Sequence, residues 1–484
     1  MSLRPAAGPR VVVVGGGIAG LTAALRLTAH PARPQVVLLE GSEQVGGKLR
    51  SAEIAGVTLD VGAEAMLARR QEALELAAEV GLGDELTHPA HVTAGIRARG
   101  NLRPLPARMV QGVPGDLDAL RATGILDDSE LGALSALHKA PGDTVEEDVS
   151  VGGYLRPRVG SPILDRLVEP LLAGVYAGRV DELSLRAVLP QFAAALEGRN
   201  VFDLAAEAAA RPSAEGPVFA GLPGGVSRLA TAVAAASRDA GAELRTGSMV
   251  RELRVIGTDQ HPTRTGRPAF ELTVGPTRAA EPVVADAVLI ACPAVPAARL
   301  LAGVAPGAAR ALGNIPYASM AVVTLAVRAG TPLPGSGFLV AAGELPTIKA
   351  ATFSASKWPW LAESQPDGIV LLRASVGRFG DEHLLQREDA ELVRLAVADL
   401  DRVLVDAGSG ALGPVVDSAV TRWGGALPQY QVGHLERVAR IRESIARVPG
   451  LAVAGAPYEG IGIPACIASA DRAVAQISAS LTAA

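Results

Sequence analysis

Lysine is scarce in this chain: Lys48, Lys139, Lys349 and Lys357 are the only four, so arginine carries nearly all of the positive charge. Lys+Arg number 45 against Asp+Glu 50, a net charge of -5, and that balance provides no global field to draw a polyanion, which argues against nucleic acid as a partner. Cysteine is nearly absent. Cys292 and Cys466 cannot make a disulfide framework or a metal site by themselves, and each is read as a small buried hydrophobe in a reducing cytoplasm. None of the 7 histidines stands in ligand spacing with a cysteine or an acid, so no metal is expected. Aromatic residues are only 3% of a chain that is 49% apolar, which calls for a core of Ala-rich helices packed on aliphatic strands. No stretch reaches the roughly 18 apolar residues of a spanning helix. The first apolar run is broken by three glycines directly after Val14, so neither a signal peptide nor a transmembrane helix is expected. The arginine, alanine and glycine excess suggests a GC-rich bacterial genome. There is no internal repeat, and no Ser/His/Asp arrangement that needs a nucleophile elbow.

What the chain does contain is enough for two or three structural units across its 484 residues. After a short tail to Pro9, Arg10 to Val14 reads as a fully buried parallel strand, Ile18 to Leu27 as a helix, and Gln35 to Leu39 as a second strand beyond the break at Pro31 to Pro34. Helix-favouring sequence covers Arg69 to Glu79, and mostly helical signals run from about residue 116 to 210, with turns expected at Pro141-Gly142 and Gly152-Gly153. Strands are expected at Leu244 to Leu253, Phe270 to Val274 and Ala287 to Ala291, with Gly257 to Pro268 as an exposed hairpin loop. Ala321 to Val327 and Ile369 to Val376 predict a second, mixed sheet, followed by a helix from Arg387 to Ala407. A last buried strand starts at Leu451, and a helix runs from about Cys466 to Leu481.

The chemistry begins at Gly15-Gly16-Gly17-Ile18-Ala19-Gly20, a G-x-G-x-x-G turn lying between a strand and a helix, the context that gives the pattern its meaning. Gly15 permits the tight turn, Gly17 lets the main chain approach a pyrophosphate, and Gly20 lets the helix lie close to the strand. Phosphate then faces the unpaired N–H groups and positive end of the helix. Glu40 closes the second strand, where a carboxylate accepts from both ribose hydroxyls and repels a 2'-phosphate. The pattern by itself leaves FAD and NAD open. Residues 41–51 follow as GSEQVGGKLRS; Gly41 and the Gly46-Gly47 pair can pass close to a cofactor, with Lys48 and Arg50 available to its phosphates.

This extended signature resembles the flavin-containing amine oxidase and protoporphyrinogen oxidase superfamily. In that superfamily a segment like Gly455 to Pro464, again between strand and helix, closes the FAD site, so the resemblance places Gly455, Gly462 and Ile463 against the flavin. Several blocks are similar to the bacterial coproporphyrinogen III and protoporphyrinogen oxidases in particular: Asp60-Val61-Gly62-Ala63-Glu64, Glu169 to Gly178, Arg422-Trp423 with Leu427-Pro428-Gln429-Tyr430, and Gly460 to Cys466. They span almost the whole chain. By that resemblance Gly62, Ala63, Glu64 and Trp423 join the FAD site, Val250 bonds the adenine through its main chain, and Arg69, Arg70, Gly174 and Tyr176 lie on the substrate side. Gln71 stands where some bacterial relatives carry a further basic residue.

The resemblance implies an α/β protein with a discontinuous Rossmann-like FAD domain (residues 8–60, 218–295 and 420–484), a mixed-sheet substrate domain (61–88, 170–217 and 296–419) and a helical lobe (89–169) that could face a membrane. It implies removal of six hydrogens from a porphyrinogen in three rounds of hydride transfer to flavin N5, with oxygen reoxidising the flavin. No catalytic acid or base is assigned. Coproporphyrinogen III is favoured over protoporphyrinogen IX, in a cytoplasmic enzyme with a ferrochelatase downstream. An amine oxidase or carotenoid desaturase would share the FAD signatures, and a GDP-dissociation-inhibitor-like protein would keep the fold as a binding module without flavin.

Overall fold

The computed structural model describes residues 8–90, 93–210, 216–257, 269–328, 330 and 333–482. Most of the expected tail and of the expected hairpin loop at 257–268 lies outside these residues. Strand β1 (Arg10–Val14) and strand β2 (Gln35–Leu39) pair in a five-stranded sheet ordered Glu243–Arg245, β2, β1, Ala287–Ile290, Leu451–Val453. Every pairing is parallel. Such sheets are covered on both faces, which is why β1 reads as unbroken valine. Val11 and Val13 enter a core with helix α1 (Ile18–Thr28) and the helices Ser227–Asp239 and Ile463–Thr482. Val12 and Val14 enter the core on the other side. Each fully buried valine contributes roughly 1.5 kcal/mol or more.

The run Leu244 to Leu253, expected as one strand, is two strands in two sheets. Glu243–Arg245 edges the parallel sheet, whereas Val250–Ile256 opens a three-stranded antiparallel sheet with Ala269–Val274 and Glu281–Ala285. Gly247 makes the turn at φ +61°, a left-handed conformation that glycine adopts without penalty. The N–H groups of Gly247 and Ser248 donate to Ser42 and Glu40 carbonyls at 2.8 and 2.7 Å. The apolar residues of the run gave no sign of the turn.

A second sheet has seven strands, ordered Val415–Pro428, Tyr317–Arg328, Ile369–Val376, Ile348–Thr352, Gly337–Val340, Gly95–Ala98, Asn101–Pro104. It is mixed, since Gly337–Val340 runs parallel to Gly95–Ala98 and the other pairings are antiparallel. Leu372, Ala374 and Val376 pack in one core with helix Asp389–Asp406, so by strand alternation Arg373 and Ser375 face the other way. Strand Val415–Pro428 was missed because half of it is exposed and it lacks apolar alternation. It carries residues 420–428, expected with the FAD domain, into this second sheet. The hairpin 95–104, expected in the helical lobe, is likewise two of its strands.

The helical expectation for 116–210 is met by helices at Leu117–Thr123, Asp128–His138, Val151–Val159, Glu169–Tyr176 and Val201–Ala210, which share one core. Gly152-Gly153 is not a turn. Both glycines lie in the first turn of helix Val151–Val159, where Ser150 Oγ accepts from Gly153 N at 3.0 Å and a Cβ on Gly152 would meet Asp181 Oδ1 at 1.9 Å. Close packing, rather than turning, requires glycine there.

Asp60 ties the first hairpin to the parallel-sheet unit. Its buried carboxylate accepts from Val226 N (2.7 Å) and Ser227 N (3.1 Å) at the start of helix Ser227–Asp239. Burial pushes its pKa up to about 6, against those bonds and the Arg373 charge. A raised carboxyl pKa contributes stability below the unfolded value that is lost as pH rises through the folded one. Asp60→Asn, which keeps an acceptor and removes the titration, should therefore gain in Tm relative to the parent as pH rises from about 4 through 6; a constant difference would count against this account.

Candidate active site

A cavity of about 840 Å³ runs along the carboxyl ends of the parallel strands and on beneath the second sheet, within the range of cofactor sites. Gly15, at φ +107°, turns the chain out of β1, and α1 begins at Ile18 with Gly17 as its N-cap, no side-chain cap and no acid in its first turn. Space for a Cβ on Gly17 is open to 4 Å. These features fit a pyrophosphate, which would take up uncapped N–H groups. Gly20 does not line the cavity; a Cβ there would lie 1.9 Å from the Gly15 carbonyl oxygen, so it sets how closely α1 lies on the turn.

Glu40 stands at the end of β2 with Oε2 accepting from Gly16 N at 2.6 Å and Oε1 from Ser42 N at 2.8 Å. Its carboxylate is thereby fixed at the cavity wall, beside Gly41 and across from Met249 and Val250. Gly46 N donates to the Gly16 carbonyl at 2.7 Å, and a Cβ on Gly47 would come within 3.1 Å of Gly17 Cα. That contact carries the chain on to Lys48, whose pKa burial lowers.

Toward the far end the wall is the strip Val61 to Ala63. Ala63 N donates to the Lys48 carbonyl at 3.0 Å, and a Cβ on Gly62 would sit 2.1 Å from that same oxygen. Two side chains of the second sheet grip the strip: Trp423 Nε1 donates to the Val61 carbonyl (3.0 Å) and Arg373 Nη2 to that of Gly62 (2.8 Å). Gly455, Gly462 and Ile463 close the site where helix Ile463–Thr482 begins. Tyr430 fixes this loop, its hydroxyl donating to the Ala456 carbonyl (2.6 Å) and accepting from Gly460 N (2.8 Å).

The cavity thus brings together Gly15, Gly17, Ile18, Ala19, Glu40, Gly41, Gly47, Lys48, Gly62, Ala63, Val250, Trp423, Gly455, Gly462, Ile463 and, from the lobe, Gly174. Four further residues fall elsewhere. Glu64 turns out of the wall to bond Arg373 and Trp358 Nε1. Arg69 and Arg70 are exposed before helix Gln71–Glu79, with Arg70 paired to Glu72. Tyr176 is buried, its ring tilted against Tyr430 with centroids 5.6 Å apart, while its neighbour Val175, 47% exposed, borders the cavity.

Sequence reasoning missed Arg373, Ser375 and both cysteines as lining residues. A lone arginine inside the apolar run Ile369–Val376 was the available signal. Burial pushes the Cys292 thiol up to about 12 and that of Cys466 up to about 11. Among the described residues, no group of three His, Cys, Asp or Glu is placed to hold a metal.

Comparison with known proteins agrees with this construction. Residues 18–478 match the family of flavin containing amine oxidoreductases. A Mycobacterium tuberculosis protein named coproporphyrinogen III oxidase is 38% identical over 97% of this chain and 98% of its own length. The protoporphyrinogen oxidase of Bos taurus is 28% identical over 97% and 98%. A solved Exiguobacterium structure, provisionally assigned as a protoporphyrinogen oxidase, superposes with a TM-score of 0.81 at 30% identity, covering 97% of this chain and 99% of that one. The chain belongs to the flavin containing amine oxidoreductase family. It is an FAD-dependent oxidoreductase, similar at 38% and 30% identity to bacterial proteins named coproporphyrinogen III oxidase.

Two outcomes follow from the geometry. With FAD bound, Cys292 and Cys466 should resist N-ethylmaleimide, and removal of FAD should expose both; equal labelling in the two states, read by mass spectrometry, would place the cofactor elsewhere. Tyr430→Phe removes both bonds of the loop staple, and FAD should dissociate at least tenfold more readily from it, as followed by flavin fluorescence.

Proposed function

We propose that this enzyme oxidises coproporphyrinogen III to coproporphyrin III in haem synthesis, with oxygen as the electron acceptor. The observation that carries the substrate is the near full-length similarity to proteins named for that reaction. Bound FAD supplies the hydride acceptor. The protein's part is to hold a flat macrocycle against the far end of the cavity, where the wall is made by Gly174, Val175, Met320, Val322, Ala426 and Leu427. An apolar slot of this kind orients a ring without a dedicated acid or base. Lys48 and Arg373 are the cations among the described lining residues. Substrate carboxylates are therefore assigned to the mouth, and Arg69, exposed four positions beyond the lining residue Ala65, is assigned to one of them; Arg70, already paired, has the lesser part. Protoporphyrinogen IX is the second reading, supported by the similarity to the Bos taurus enzyme.

On this reading the FAD domain comprises residues 8–60, 218–295 and the chain after 428, and the product passes to a ferrochelatase. No helix among the described residues is long and apolar enough to cross a membrane, and we place the enzyme in the cytoplasm, with contact to the inner face of the membrane being peripheral. The test is anaerobic addition of coproporphyrinogen III to the purified holoprotein. Bleaching of the flavin bands with appearance of porphyrin fluorescence is expected, and unchanged flavin bands would sink the reading. Faster turnover of protoporphyrinogen IX than of coproporphyrinogen III would reverse the order of the two substrates.

A further inference from the structure

Arg373 is an unusual wall residue. It lies inside a central strand and is only 9% exposed, where a guanidinium is costly to keep unless it is paired. Nη2 donates to the Gly62 carbonyl at 2.8 Å and Nη1 to Glu64 at 3.0 Å, while Nε is buried with no partner in the structure. Glu64 also takes the Trp358 indole N–H and faces Lys357 Nζ at 3.6 Å. Burial would raise the Glu64 carboxyl, but the charges of Lys357 and Arg373 outweigh it and hold the group below the ordinary range. Two cations therefore meet one anion. Nearby Asp60 is occupied by the N–H groups of Val226 and Ser227 and by the positive end of their helix. Of these four charged groups Arg373 is the one that lines the cavity, with the two carboxylates and Lys357 set behind it.

The end of the cofactor that meets this cluster follows from the rest of the cavity. Glu40 and Val250 are at the ribose and adenine end and the Gly15–Ile18 turn takes the pyrophosphate. The ring system then falls at the other end, among Gly62, Arg373, Trp423 and Ile461. Reduction of FAD by two electrons with uptake of one proton adds a net negative charge to that ring.

We propose that Arg373 is a positioning residue that sets the reduction potential of the flavin, drawing the Gly62–Glu64 strip to the ring and holding its own positive charge on the wall beside it, which favours the reduced form. The proposal rests on FAD binding and not on which porphyrinogen is oxidised. It is tested without substrate, by anaerobic reductive titration of the holoprotein against reference dyes. Arg373→Gln should disfavour reduction at least tenfold, about 30 mV for a two-electron couple. Glu64→Gln should shift the potential in the opposite direction, and Arg373→Lys should return it toward the parent value. Both neutralising variants loosen the same strip while changing its charge oppositely, so a purely structural role would move them together. Shifts of the same sign, or no shift in Arg373→Gln, would overturn the proposal. Should Arg373→Gln fail to fold, Lys357→Met removes a charge from the same cluster at a less buried position, and an unchanged potential there would overturn it equally.

Discussion

The carbonyl groups of Val61 and Gly62 are bonded by side chains that arrive from the second sheet, Trp423 and Arg373. The opposite side of the same strip is fixed by main chain, where Gly62 lies too close to the Lys48 carbonyl for any Cβ. The parallel sheet holds Lys48 indirectly, through Gly47 against Gly17. This narrow strip is one tie between the two sheets, alongside the Tyr317 hydroxyl, which accepts from Ala294 N at 2.8 Å, and the cavity lies between them.

A second connection runs through the lobe. Tyr176 leans on Tyr430, and Tyr430 stacks on His434 at 3.9 Å between ring centroids. Burial pushes the His434 pKa down to about 4, so this ring is neutral under ordinary conditions and acts as a packing surface. Gln429 Nε2 donates to the Tyr176 carbonyl at 2.8 Å, while Tyr430 spans the loop Ala456 to Gly460. The blocks Glu169 to Gly178, Leu427 to Tyr430 and Gly460 to Cys466, far apart in sequence, are therefore parts of one contact.

Much of the cofactor end was legible because its chemistry is local. A strand, three glycines, a helix start and an acid at the end of the next strand lie within residues 10–40, and their geometry follows from their own backbone. The mixed α/β fold and the helical stretch were legible from periodicity for the same reason. Arg373 was not, since its meaning depends on which face of Ile369–Val376 meets the cavity, and that is decided by helix Asp389–Asp406 covering the other face. Glu64 and Tyr176 were assigned by their neighbourhood in sequence, yet Glu64 turns to the buried Arg373 and Tyr176 packs its ring on Tyr430. Strand Val415–Pro428 stayed hidden because an exposed edge strand need not alternate.

The order of strands in the parallel sheet bears on how the protein is made. On the ribosome β1 and β2 emerge early, but the neighbour of β1 on its other side, Ala287–Ile290, comes much later, and Leu451–Val453 later still. With synthesis at about 5–20 residues per second, the second edge of β1 waits many seconds for its neighbour. During that interval the nascent chain has a glycine turn but no closed pocket, so flavin has nothing to retain it. Closure of the site therefore waits for Leu451–Val453, and until Ala287–Ile290 arrives the early pair β1 and β2 keeps one strand edge open.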